Sequence, residues 1–126
     1  MAIRIGEVAR RAGLTASALR YYEREGLIPR ADRQGNARVY GEDVFDRLAL
    51  IDLAKRAGFT VAETRRLLRG VSRRSPPGPR WRALAETKLE EVEARIAEAR
   101  RMRAVLLTVM GCECPTFEDC TRAGGC

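Results

Sequence analysis

Histidine is absent from the 126 residues, and cysteine is absent from the first 111. Without histidine the chain has no imidazole to serve as a general base. It also has no Cys-x-x-Cys pair and no glycine-rich phosphate loop. A thiol enzyme and a nucleotide-dependent enzyme therefore both lack their usual sequence support. No run of about 18 apolar residues is present, which excludes a membrane-spanning helix. Residues 1–14 carry charges throughout and have no apolar centre of the kind a secretion signal needs, so a cytoplasmic location is expected. Lysine is scarce: Lys55 and Lys88 are the only two, and every other cation is arginine. There is no internal repeat and no low-complexity segment.

What is present is unevenly distributed. Lys and Arg total 24 against 17 Asp and Glu, a net charge of +7. Residues 1–80 hold 17 basic and 9 acidic side chains, and residues 81–126 hold 7 and 8. The first part suits a polyanionic partner and the second does not. Arginine favours bidentate contacts to phosphates and base edges, although an arginine-biased genome would give the same composition. The length fits one small domain plus one long appended element.

Helical spacing of Ile5, Val8, Ala9 and Ala12 predicts a helix over residues 3–12, ended by Gly13. Thr15 or Ser17 then stands at an N-cap position before a helix over residues 16–25, with Leu19 and Tyr22 facing inward and Gly26 as its stop. Helix, short glycine turn, helix is the helix-turn-helix pattern, and it is also that of an ordinary helical hairpin. Pro29, Gly35 and Asn36 interrupt the next stretch. There residues 27–28 and 38–40 can pair as a small β-hairpin carrying Arg30, Arg33 and Arg38 as a wing; a solvated basic loop is the alternative.

Val44, Leu48, Ile51 and Ala54 mark one side of a helix over residues 41–57. Thr60 and Glu63 form a capping box for another that ends near Leu68. These elements make a basic domain over residues 1–70. Residues 71–79, with Pro76, Pro77 and Pro79, read as a linker. Residues 80–110 contain neither glycine nor proline and predict one helix about 45 Å long. Ala85, Leu89, Val92, Ile96, Ala99, Arg103, Leu106 and Met110 recur at alternating steps of four and three, a coiled-coil seam interrupted at Arg103. So small a domain cannot cover the whole seam, which points to a second copy and a homodimer; a helix folded back on its own domain is the alternative.

The run Arg20-Tyr21-Tyr22-Glu23-Arg24-Glu25-Gly26-Leu27-Ile28, preceded by Ile5-Gly6-Glu7-Val8-Ala9 and Gly13-Leu14-Thr15 and followed by Arg33, Asn36, Arg38 and Tyr40, closely resembles the MerR family of transcription regulators. Residues 51–58 share the resemblance, which covers nearly the whole chain. It implies a mainly α-helical fold: a winged helix-turn-helix dimer joined by an antiparallel coiled coil. It implies a non-enzymatic regulator that binds a pseudo-palindromic site in double-stranded promoter DNA. An inducer makes the dimer deform that DNA so that RNA polymerase can use the promoter, a form of indirect readout. Carried over residue by residue, the family pattern places Thr15, Ser17, Arg20 and Tyr21 at the major groove and Arg33, Asn36, Arg38 and Tyr40 of the wing against the DNA backbone.

The tail, residues 111–126, holds Cys112, Cys114, Cys120 and Cys126. Clustered thiols in a cytosolic chain favour a metal or redox site over a disulfide framework, and three within nine residues can converge on one soft ion. The expected ligand is a soft thiophilic ion such as Cu(I), Zn(II) or Hg(II). Cys112 and Cys120 resemble the two-thiolate loop of the family's Cu(I) sensors. Divalent-ion sensors usually add a cysteine near the start of the long helix, which is missing here. The alternative is a SoxR-type [2Fe–2S] cluster. Cys112, Cys114 and Cys120 match its last three ligands and Trp81 also resembles it. Val109 stands where the first ligand belongs, so Cys126 would have to complete the four. Direct thiol oxidation, unliganded thiols and a thiol-based metal buffer remain open.

Overall fold

A computed structural model describes residues 2–72 and 74–122. The Cys126 position lies outside the described residues. In chain order the elements are β1 (Ile3–Arg4), α1 (Ile5–Ala12), α2 (Ala16–Arg24), β2 (Asp32–Gln34), β3 (Ala37–Tyr40), α3 (Val44–Arg56), α4 (Val61–Leu68), α5 (Gly78–Met110) and α6 (Phe117–Arg122). The chain is mainly helical, with one three-stranded antiparallel sheet in the order β1-β3-β2. It divides into two compact units, residues 1–84 and residues 85–126.

In the first unit α1 and α2 form the expected helix–turn–helix. Gly13 takes φ +69°, which a side chain would strain, and the Leu14 amide reaches back to the Ala9 carbonyl at 2.9 Å. Gly26 repeats the device at φ +74°, with the Leu27 amide donating to the Tyr22 carbonyl at 2.9 Å. Thr15, not Ser17, is the N-cap of α2: its hydroxyl accepts from the Ala18 amide at 3.0 Å. The capping box at α4 forms as expected, with Thr60 Oγ1 accepting from the Glu63 amide and the Glu63 carboxylate accepting from the Thr60 amide.

Several elements differ from the sequence expectations: α3 starts at Val44 rather than at residue 41, and residues 117–122 of the expected tail form α6. Residues 3 and 4 are a strand, because the second edge of β3 needs a partner: Ile3 pairs with Tyr40 and Arg4 with Val39, and Ile3 is buried. Leu27 and Ile28 do not pair in the wing; the strand opposite β3 is Asp32–Gln34. Leu27 is spent on closing α2, Pro29 has no amide to donate, and both Leu27 and Ile28 are buried in the core. Helix α5 starts at Gly78, two residues early, since Pro79 fits a first helical turn whose amides lack partners anyway.

The main core joins Val8, Leu19, Leu27, Ile28, Tyr40, Val44, Leu48, Ile51 and Leu68. It therefore takes side chains from α1, α2, α3, α4 and the sheet, and fixes the sheet against α2. A second cluster of Ala54, Phe59 and Leu67 receives Trp81 and Leu84 from the first turns of α5. The Trp81 and Phe59 rings stand 5.6 Å apart at 57°.

In the second unit α5 continues from residue 85 and leaves its apolar side chains uncovered. Leu89, Ile96, Leu106 and Met110 are 57, 45, 60 and 81 % exposed. No described helix is long and apolar enough to cross a membrane.

Candidate nucleic-acid interface and metal centre

Helix α2 is two-sided: Leu19 is fully buried, while Thr15, Ser17, Arg20 and Tyr21 are exposed. Thr15 uses its oxygen as the cap but keeps its hydroxyl proton for a further acceptor. Gly35 and Asn36 form a two-residue hairpin loop between β2 and β3, and Gly35 takes φ +63°. Arg33 and Asn36 are exposed on this wing. Arg20, Arg24, Arg30 and Arg38 line one concavity together with Glu23. Guanidinium groups of this kind suit phosphates, although Arg38 among them is engaged by Glu23.

Two wing residues of the DNA-facing set also make contacts inside the domain. Tyr40 is 5 % exposed and belongs to the core, and its hydroxyl donates to Glu23 Oε2 at 3.1 Å. Arg38 is half-buried and donates to the same oxygen at 2.7 Å. Glu23 Oε1 accepts from the Ala31 amide at 2.8 Å. One carboxylate, 8 % exposed, thus ties α2 to the wing strand and to the segment entering it. Arg33 faces Arg38 across the β2–β3 ladder, so Glu23 also compensates the positive side chain that its neighbour would repel. Burial and the adjacent Glu23 carboxylate push the Tyr40 phenol above its ordinary range. On α1, Arg10 grips Glu7 and holds that carboxyl below the usual range.

Three arginines that the sequence reading left without a role hold the domain by its helix ends. Arg47 of α3 donates to the carbonyls of Leu27, Leu68 and Val71 at 3.4, 3.3 and 2.9 Å. Arg65 of α4 reaches the Glu25 carbonyl at 2.6 Å and its carboxylate at 2.9 Å. Arg80 of α5 donates to the carbonyls of Arg66, Leu67 and Arg69. No spacing rule finds these contacts, because each joins residues 11 to 40 positions apart.

In the second unit, α5 ends at Met110, and the Cys112 amide still bonds to the Val109 carbonyl at 3.1 Å. Thr116 starts the short α6 by accepting from the Asp119 amide at 3.1 Å, which sets Cys120 on its second turn. Cys112 Sγ lies 3.0 Å from Cys114 Sγ and 3.7 Å from Cys120 Sγ. All three sulfurs fall within 4.8 Å of one another and are half-buried. Two thiolates bound at about 2.3 Å on a tetrahedral centre stand about 3.8 Å apart, so the Cys112–Cys120 distance suits a shared ion and Cys114 would spread slightly. The set is all sulfur, the donor type for soft ions. Val109 is 51 % exposed and carries no donor.

A family model described as MerR HTH family regulatory protein matches residues 3–71, and one described as MerR, DNA binding matches residues 45–109. The chain belongs to the MerR family of transcription regulators. A relative from Chromobacterium violaceum, an HTH-type transcriptional activator SoxR homolog, is 33 % identical over 119 residues, covering 94 % of this chain and 80 % of its own. A mercuric resistance operon regulatory protein from Bacillus cereus is 32 % identical, covering 94 % of this chain and 90 % of its own. The transcription regulator PbrR691 from Ralstonia metallidurans CH34, solved in complex with lead(II), superposes with a TM-score of 0.76 at 30 % identity over 92 % of both chains. The chain is accordingly a DNA-binding regulator rather than an enzyme, with a cysteine triad after its long helix.

Proposed function

We propose that this MerR-family chain is a homodimer that binds promoter DNA through α2 and the wing and changes its grip when a soft metal ion joins Cys112, Cys114 and Cys120. The observation that carries this reading is the convergence of three sulfurs directly after α5. Thr15, Ser17, Arg20 and Tyr21 read the major groove. Arg33 and Asn36 contact phosphates, which set affinity and salt dependence rather than sequence choice. Arg38 and Tyr40 act from behind, shaping the wing through Glu23. The uncovered apolar stripe of α5 forms the dimer seam as an antiparallel coiled coil.

Ion binding displaces thiol protons and fixes the 112–120 loop against the end of α5. A differential affinity of a few kcal/mol between two dimer shapes is enough to tilt them and distort the DNA for RNA polymerase. Cu(I), Zn(II) and Hg(II) all suit the sulfur donors, and PbrR691 shows that a chain of this fold takes lead(II). The test replaces each of Cys112, Cys114 and Cys120 by serine. Each variant is expected to bind operator DNA normally, to lose soft-ion affinity by at least about 10-fold and to lose induction. Normal induction in all three variants refutes the proposal.

A second reading is favoured by the SoxR homolog and by the Cys-x-Cys-x5-Cys spacing: a [2Fe–2S] cluster completed by Cys126. Visible absorption bands with iron and sulfide, in protein purified without oxygen, would select it over the metal-ion reading.

A further inference from the structure

The contacts of Arg65 and Arg80 form one chain of grips that neither the interface nor the metal centre uses. Arg65 extends from the second turn of α4 to the C-terminal end of α2, holding both the carbonyl and the carboxylate of Glu25. Arg80 extends from the first turn of α5 to the C-terminal end of α4, where it satisfies the carbonyls of Arg66, Leu67 and Arg69. Helix ends leave such carbonyls without intrahelical partners, and a guanidinium fork suits them by geometry and by the helix dipole. Beside this second grip, Trp81 lies on Phe59 and Leu84 enters the same small cluster as Leu67.

We infer that Arg65 and Arg80 are positioning residues that make α4 a coupling rod between the DNA-reading helix α2 and the root of α5. The rod is short: α4 has eight residues, with one grip drawn from its body and the other closing on its end. A turn of α5 at its root pulls on the last carbonyls of α4. The same helix pulls on the end of α2 through Arg65. Packing seats α4 through Thr64, Leu67 and Leu68, all buried, with Leu67 and Leu68 in two different clusters, so that a displacement of the helix is felt in both. The arginine forks fix its register at both ends. The inference uses the proposed DNA-binding role of α2, but it does not depend on which ligand the cysteines take.

Trp81 is the single tryptophan of the chain and sits at the second grip, so its emission reports on the root of α5. The experiment uses the full chain without metal and a duplex selected for tight binding from a random pool. In the unsubstituted protein, duplex binding is expected to change Trp81 emission by at least about 20 %. In Arg65→Gln and in Arg80→Gln, duplex affinity is expected to stay within about threefold while the emission change falls by half or more. Arg80→Lys, which keeps the charge and the stem but loses the fork, serves if the Gln variant does not fold, and the same loss is expected. A full emission change in variants that bind the duplex overturns the coupling rod, and so does an unsubstituted protein whose Trp81 ignores the duplex. A parallel titration with Cu(I), Zn(II) or Hg(II) separates this from the metal reading. If none of these ions alters duplex binding, the sensing proposal fails while the Trp81 result still decides the rod.

Discussion

Residues 1–84 and residues 85–126 treat their apolar side chains in opposite ways. In the first unit Val8, Leu19, Leu27, Leu67 and Leu68 are all at most 2 % exposed, and three arginines close the helix ends that frame them. In the second unit Leu89, Met102, Val105, Leu106 and Leu107 are each more than half exposed. The first unit carries the positive charge, while residues 81–126 are nearly neutral. A domain that meets DNA must hold its shape alone, because a loosely held surface pays an ordering cost on binding. A helix that leaves an apolar stripe open completes its burial with another chain.

The largest expected effect separates the two units directly. Leu19→Ala removes a fully buried side chain and should destabilise the first unit by about 2–5 kcal/mol. That loss should not depend on protein concentration. Leu106→Ala should cost the isolated chain less than about 0.5 kcal/mol, because the side chain is already mostly in solvent. Leu89→Glu with Leu106→Glu should instead halve the mass in solution and make the melting temperature insensitive to dilution. Thermal melts across a concentration series, with light scattering, read both. Equal effects of Leu19→Ala and Leu106→Ala on the monomer would erase the distinction between the units.

A smaller effect tests how the first unit holds its wing. Glu23→Gln keeps the shape but removes the charge that Arg38, Tyr40 and the Ala31 amide share. Stability should fall by roughly 1–3 kcal/mol, since charge-assisted hydrogen bonds in a covered site are among the stronger ones. DNA affinity should fall as the wing loosens, with the salt dependence of binding unchanged. A salt slope steeper by about one would mean that the freed Arg38 has moved onto a phosphate, and it would reassign that residue to the interface.

The helices of residues 1–110 were legible because each is bounded by local chemistry, whereas α6 was read only as part of the tail, six residues being too few to show a period. Glycines stop α1, α2 and α3, Thr15 and Thr60 start α2 and α4, and Val44, Leu48, Ile51 and Ala54 mark one buried face. The cysteine cluster was legible for the same reason, since its three converging sulfurs fall within nine residues. Strand β1 was not, because two residues carry no period and pair only once β3 exists. Leu27 and Ile28 have the composition of a strand, but Leu27 is consumed by the cap of α2. Nothing local reveals that Glu23, 15 positions before Arg38 and 17 before Tyr40, gathers both side chains. The arginine grips are invisible for the same reason: nothing local to Arg47, Arg65 or Arg80 reveals the distant carbonyls that each one meets.

The smallest expected effect lies in the same carboxylate cluster and is read with pH. Burial and then Glu23 raise the Tyr40 phenol above its ordinary value, near 10 in an unfolded chain. A phenol raised on folding favours the folded state below the unfolded value, and that contribution is lost as pH rises through the folded one. Each unit of difference corresponds to about 1.4 kcal/mol, so the loss begins near pH 10 and not before. Phenolate formation would set a second negative charge beside Glu23, partly offset by Arg38. Urea unfolding at pH 8 and at successive steps above 10 should show the first unit weakening over that range. Tyr40→Phe should be less stable at pH 8 by about 1 kcal/mol, for the lost hydrogen bond, yet flatter above pH 10. If Tyr40→Phe keeps the full alkaline decline, the decline belongs to other groups, and Tyr40 contributes to the wing through packing and its neutral hydrogen bond alone.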